Sequence, residues 1–83
     1  MKVLNKKMKV ISKLYIPEAG VTSVFVPLFK MPSGIDSVID SNGKKFKVIE
    51  IGLNSRLYFN GVADLHIKGN YTDNQVVSVT FKH

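Results

Sequence analysis

Lysine side chains near the amino terminus are spaced as a phosphate-binding strand would need them. The first acid of the chain is Glu18, and the lysines that precede Tyr15 are Lys2, Lys6, Lys7, Lys9 and Lys13. If the segment from Met8 to Ile16 is a strand, its side chains alternate between two faces, which sends Met8, Val10, Leu14 and Ile16 inward and Lys7, Lys9, Lys13 and Tyr15 outward. Lysines two residues apart then lie about 7 Å apart, close to the repeat of phosphates along a single nucleic-acid strand. The pattern predicts a basic stripe that ends in an aromatic ring.

A second group of cations follows in the middle of the sequence and consists of Lys44, Lys45, Lys47 and Arg56. If its strand neighbours the first one, the two groups form a basic groove. Aromatic rings near turns can stack on unpaired bases or fill the core, and this applies to Tyr15, Tyr58, Phe59 and Tyr71. We expect Tyr15 to stack and the seven cations Lys7, Lys9, Lys13, Lys44, Lys45, Lys47 and Arg56 to contact phosphate.

Residues that could support catalysis are few. His66 shares one strand face with Asp64 and Lys68, a pattern that orients an imidazole or simply forms a solvated, mixed-charge face. The second histidine, His83, is the last residue, and cysteine is absent. The six acids are scattered, so no metal-ligand cluster or catalytic pair is indicated. We expect no enzymatic activity, no metal and no cofactor.

The net charge of +6 and the pI near 9.7 favour polyanionic partners, although charge also serves solubility. The lack of cysteine suits a reducing compartment, and no apolar run approaches the ~20 residues that span a bilayer. The expectation is a cytoplasmic protein without a membrane partner.

Short segments with period-two alternation, separated by Gly, Asn, Asp, Ser or Pro, predict strands at 7–16, 21–30, 35–40, 44–53, 62–68 and 76–82. Asn42-Gly43 suggests a type I′ hairpin turn between the third and fourth of these strands. Six short strands in one domain of residues 1–83 favour a small antiparallel β-barrel, with residues 1–6 as a flexible basic tail. The predicted core is Met8, Val10, Leu14, Phe25, Phe46, Val48, Leu65, Ile67, Val79 and Phe81.

The order of glycines and apolar strands resembles the β-barrel second domain of translational GTPases such as elongation factor Tu. The similar features are Gly20 before an apolar strand, Gly34-Ile35, the hairpin at Gly43, the segment 47–51, Gly61-Val62-Ala63 and the alternation of Leu65 and Ile67 before Gly69. The Gly-Asp pair usual in that family is replaced around Asp36-Ser37, and the second glycine after Gly61 is absent. The resemblance implies a barrel fold and an RNA partner. Because the chain has no GxxxxGK[ST] motif, it does not imply GTP hydrolysis.

These observations predict a non-enzymatic protein that binds RNA or single-stranded nucleic acid through phosphate contacts. The alternative is a protein-binding inhibitor or accessory module that docks on an acidic partner, such as a phage-type protein that blocks a host nuclease or defence factor. A third alternative is a structural subunit that pairs an exposed strand edge with another chain.

Overall fold

Short antiparallel strands make up most of the chain. The computed structural model describes residues 3–29, 34–52, 56 and 60–82. Its strands are β1 (Val3–Leu4), β2 (Met8–Lys9), β3 (Ser12–Ile16), β4 (Val21–Pro27), β5 (Ile35–Ile39), β6 (Lys45–Gly52), β7 (Val62–Lys68), β8 (Gln75–Val76) and β9 (Ser78–Phe81). Seven of them form one sheet in the order β1-β9-β5-β6-β7-β4-β3, and β2 pairs with β8 in a separate ladder. The prediction of a small all-β antiparallel domain is confirmed.

The closed barrel that we predicted is not formed. Within the described chain no ladder joins β1 to β3, so these strands are the two edges of the large sheet. Both edges come from one segment, residues 3–16, which pairs first with β9, then with β8, and finally with β4. Part of the predicted basic tail is therefore a strand, because Val3 and Leu4 pair with Thr80 and Val79.

A β-bulge between β2 and β3 reverses the predicted alternation. The N–H of Ile11 donates to the carbonyl oxygen of Phe25, which is also the register partner of Ser12, so two residues oppose one. The extra residue exchanges the two faces of the strand. Lys13 is consequently half-buried, and Leu14 is exposed.

The core encloses most of the residues predicted for it. Its members from β4, β5, β6, β7 and β9 include Val24, Val26, Val38, Val48, Leu65, Ile67 and Val79. The predicted burial of Leu14 and Phe25 is wrong: Leu14 follows the bulge, and Phe25 lies on the outward face because Val24 and Val26 fill the inward positions of β4.

The hairpin between β5 and β6 is present, but its turn is not type I′. The N–H of Gly43 donates to the carbonyl oxygen of Asp40, and Gly43 alone has a positive φ, of 81°. This is a type I turn followed by a left-handed glycine. The carboxylate of Asp40 accepts from the N–H groups of Asn42 and Lys44, which stabilises that turn over type I′.

Candidate nucleic-acid interface

The ammonium group of Lys13 is bound to the protein's own backbone. It donates to the carbonyl oxygens of Thr72 and Asp73, at 2.5 and 2.9 Å, and to the side-chain oxygen of Asn74 at 3.1 Å. A lysine ammonium has three protons, and these three contacts use all of them. Lys13 therefore fixes the loop 72–74 against β3, and a phosphate would have to replace one of these bonds.

Lys7 and Lys9 line an open depression of about 600 Å³ together with Asp73, Asn74 and Gln75. We call this the loop depression. Both lysines are exposed, and Lys9 lies opposite Gln75 in the ladder of β2 and β8. The depression also contains an acid, because hydrogen bonds from the side chain and backbone of Ser41 hold the pKa of Asp73 below its usual value. Its anion-binding character is weakened by this carboxylate.

Three exposed lysines lie together on the outward face of β6 and β7. The ladder of β6 and β7 ends at the pair Val48–Ile67, and one further step in the same register brings Lys47 across from Lys68. Lys45 lies one side-chain repeat away on the same face. We call Lys45, Lys47 and Lys68 the lysine ladder. No carboxylate in the described part of the chain forms an ion pair with them. Like charges directly opposite each other on neighbouring strands repel, so this site gains from a bound anion.

The two groups of cations do not lie on neighbouring strands as the predicted groove requires. Lys9 lies in the ladder of β2 and β8 and Lys7 immediately precedes β2, whereas β6 lies between β5 and β7 in the large sheet. The contact of Ser41 with Asp73 joins the 40–44 turn to the loop depression. Lys44, in that turn, lies with its ammonium 4.9 Å from the ring centre of Phe46.

The aromatic residues considered for base stacking also differ in their surroundings. Tyr71 is buried, its hydroxyl donates to the carbonyl oxygen of Gln75, and its ring packs edge-on against Phe46. It is a core residue and cannot stack on a base. Tyr15 is 40% exposed and stays available. Tyr58 and Phe59 lie outside the described residues, and Arg56 is an exposed residue with contacts of its own.

Polar side chains of β4, β7 and β6 also form a cluster on the outward face of the sheet, which we call the polar cluster. The hydroxyl of Ser23 donates to Asp64 at 2.6 Å, and the two ring nitrogens of His66 lie 3.2 Å from Asp64 and 3.0 Å from Glu50. Burial lowers the pKa of His66, but the hydrogen bond to Glu50 and the charge of Asp64 outweigh it, so the pKa is raised. Sequence reasoning paired His66 with Asp64 but missed Glu50, because a register irregularity between Val48 and Glu50 decides that contact.

The chain matches no protein-family model, no curated protein and no solved structure.

The polar cluster lacks the proton path of a nucleophilic site. The proton of Ser23 goes to Asp64 rather than to His66, and both ring nitrogens of His66 face carboxylates. Among the described residues no group of three or more His, Asp or Glu side chains is placed to hold a metal ion. In the same part of the chain, no helix is long and apolar enough to cross a membrane.

Proposed function

We propose that this protein binds RNA or single-stranded nucleic acid without catalysis, through phosphate contacts centred on the lysine ladder. What supports this most is that the register of β6 and β7 brings Lys47 and Lys68 together, while neither lysine forms an ion pair in the described chain. Such a pair is destabilising in the free protein and favourable when a phosphate lies between the two ammonium groups.

Charge is separated along these two strands, which gives the interface a direction. Lys45, Lys47 and Lys68 lie near the 40–44 turn, whereas Glu50 and Asp64 lie farther along β6 and β7. A phosphate backbone would follow the lysine end and be repelled by the carboxylate end. Lys44 and the loop depression extend the positive surface past the turn, with Lys7 and Lys9 as its outer contacts.

The test is binding of a fluorescently labelled single-stranded RNA, measured by anisotropy between 20 and 300 mM salt. The affinity should fall with salt, with a log-log slope of about −0.7 for each phosphate neutralised. Lys47→Glu should lower the affinity on the order of tenfold and make the slope shallower by roughly one. Its melting temperature should not fall, because the substitution replaces a repulsion with an attraction to Lys68.

The matched control is Lys6→Glu, which changes the net charge equally at an exposed residue between β1 and β2. It should reduce affinity much less than Lys47→Glu, since it lies outside the lysine ladder. Equal losses would mean that only total charge matters, and the interface would be wrong. Absence of RNA binding by the unmodified protein at 20 mM salt would refute the function itself.

A further inference from the structure

Strand β3 has an apolar surface at the edge of the large sheet. Leu14 and Ile16 of β3 are 62% and 38% exposed, Tyr15 adjoins them, and Ile11, which precedes the strand, is 56% exposed. In the described chain β3 pairs only with β4, so its other side is open. Exposed apolar edge strands pair readily with another strand.

The hydrogen-bond pattern shows which backbone groups face the open edge. The carbonyl oxygen of Ile16 accepts from the N–H of Gly20 in the turn that leads to β4, and the bulge places Ser12 across from Phe25. In an antiparallel strand alternate residues bond to the same neighbour, so Ser12, Leu14 and Ile16 bond towards β4. The N–H and C=O groups of Lys13 and Tyr15 consequently point to the open side.

We propose that the open edge of β3 pairs with β3 of a second copy of this chain, antiparallel about a two-fold axis at Leu14. These backbone groups find hydrogen-bond partners only when Lys13 or Tyr15 of one copy lies opposite either of the same two residues of the other copy. A register centred on Lys13 places like charges opposite each other, which is unfavourable. One centred on Tyr15 places Lys13 opposite Pro17, which has no N–H to donate.

In the register centred on Leu14, β3 is complementary to a second copy of itself. It places each Lys13 opposite a Tyr15 of the other copy, so that no lysine lies directly opposite a like charge. On the outward face, Leu14 packs on Leu14, and Ile16 packs beside Ser12. This self-complementarity favours a second copy over an unrelated partner.

Salt separates this association from nucleic-acid binding. Each copy carries a net charge of +6, so two copies repel at long range, and screening by salt should strengthen the dimer. Binding of RNA weakens with salt. The two associations also use different residues, so either can fail without the other.

The test combines sedimentation velocity with cysteine crosslinking. The contact is one strand pair, so we expect a weak dimer that appears between about 10 µM and 1 mM and increases with salt. Because the chain has no cysteine, Leu14→Cys provides a single probe. In the proposed register the two positions are a non-hydrogen-bonded pair about 4.5 Å apart at Cα, within the disulfide range. Oxidation should give a disulfide-linked dimer.

Two further cysteine variants serve as controls, one for the register and one for random collision. Ser12→Cys places its two thiols about 13 Å apart in the proposed dimer and should not crosslink. Ile49→Cys lies at an exposed apolar position of β6 and measures random collision. A third variant, Tyr15→Pro, removes an edge N–H without removing a bond to β4, and should give a folded monomer.

Crosslinking of Leu14→Cys that is no faster than that of Ile49→Cys would overturn the proposal. Equal crosslinking of Ser12→Cys and Leu14→Cys would do the same, as would a protein that stays monomeric up to about 1 mM at high salt.

Discussion

Identical residue types have different roles in this protein because their surroundings differ. Lys9 and Lys13 belong to one predicted stripe, yet the ammonium of Lys13 is held by three oxygens of the 72–74 loop, and Lys9 lines an open depression. A variant of Lys13 therefore tests the loop as well as any anion contact. Lys9, Lys45 and Lys47 are exposed and are the sounder positions for testing phosphate binding.

His66 makes the stability of the protein depend on pH. Since the pKa of His66 is raised in the folded state, folding favours its protonated form. The stabilisation is fully present below the unfolded-state pKa of about 6.5 and is lost as pH rises through the higher folded-state value. Chemical unfolding of the protein at pH 5.5, 7 and 8.5 should show this loss, and His66→Gln should remove it. Exposure of the cluster keeps the effect small. An identical pH dependence in His66→Gln would show that other groups cause it.

Single extra residues decide which way whole strands face. The bulge at Ile11 and Ser12 turns Lys13 towards the 72–74 loop and Leu14 towards solvent, and an irregularity between Val48 and Glu50 brings Glu50 to His66. The period-two pattern is unbroken in β7, where Ala63, Leu65 and Ile67 are buried as predicted. Alternation is reliable only within an uninterrupted ladder.

Asn42 and Gly43, in the turn between β5 and β6, should differ in how strongly a substitution lowers stability. Gly43→Val should destabilise the protein by about 1–2 kcal/mol, because a β-branched side chain resists the positive φ at this position. Asn42→Ala should change stability by less than about 0.5 kcal/mol, because Asn42 has a negative φ and is exposed. Urea denaturation of both variants measures the difference. A large loss in Asn42→Ala would favour the type I′ turn instead.

At the scale of the whole molecule, one core is enclosed by a sheet whose two edges come from the same amino-terminal segment. Residues 3–16 run from β9 to β4 and pair with both of these strands. In the described chain, however, no ladder joins β1 to β3, so the sheet is not closed. This arrangement leaves β3 as an apolar edge, and it separates Lys7 and Lys9 from the lysine ladder. The same topology therefore creates the proposed dimer contact and divides the basic surface.

Two leucines predicted to be equivalent should respond differently to truncation. Leu65 is fully buried, so Leu65→Ala should cost about 2–5 kcal/mol by loss of contacts and formation of a cavity. Leu14 is 62% exposed, and Leu14→Ala should cost less than about 0.5 kcal/mol at concentrations where the protein is monomeric. Thermal or urea unfolding measures both. Similar losses of stability in the two variants would mean that Leu14 lies in the core and that the bulge between β2 and β3 is absent.

The sequence by itself determined the all-β class, most strand positions and the core of the regular strands, because alternation and turn residues act locally. It also identified the exposed lysines of β6 and the pairing of His66 with Asp64. The tertiary structure alone decided the role of Lys13, the burial of Tyr71, the contact of Glu50 with His66 and the open edge at β3. Each of these depends on a bulge or on a contact between distant segments, and neither leaves a periodic signal in the chain.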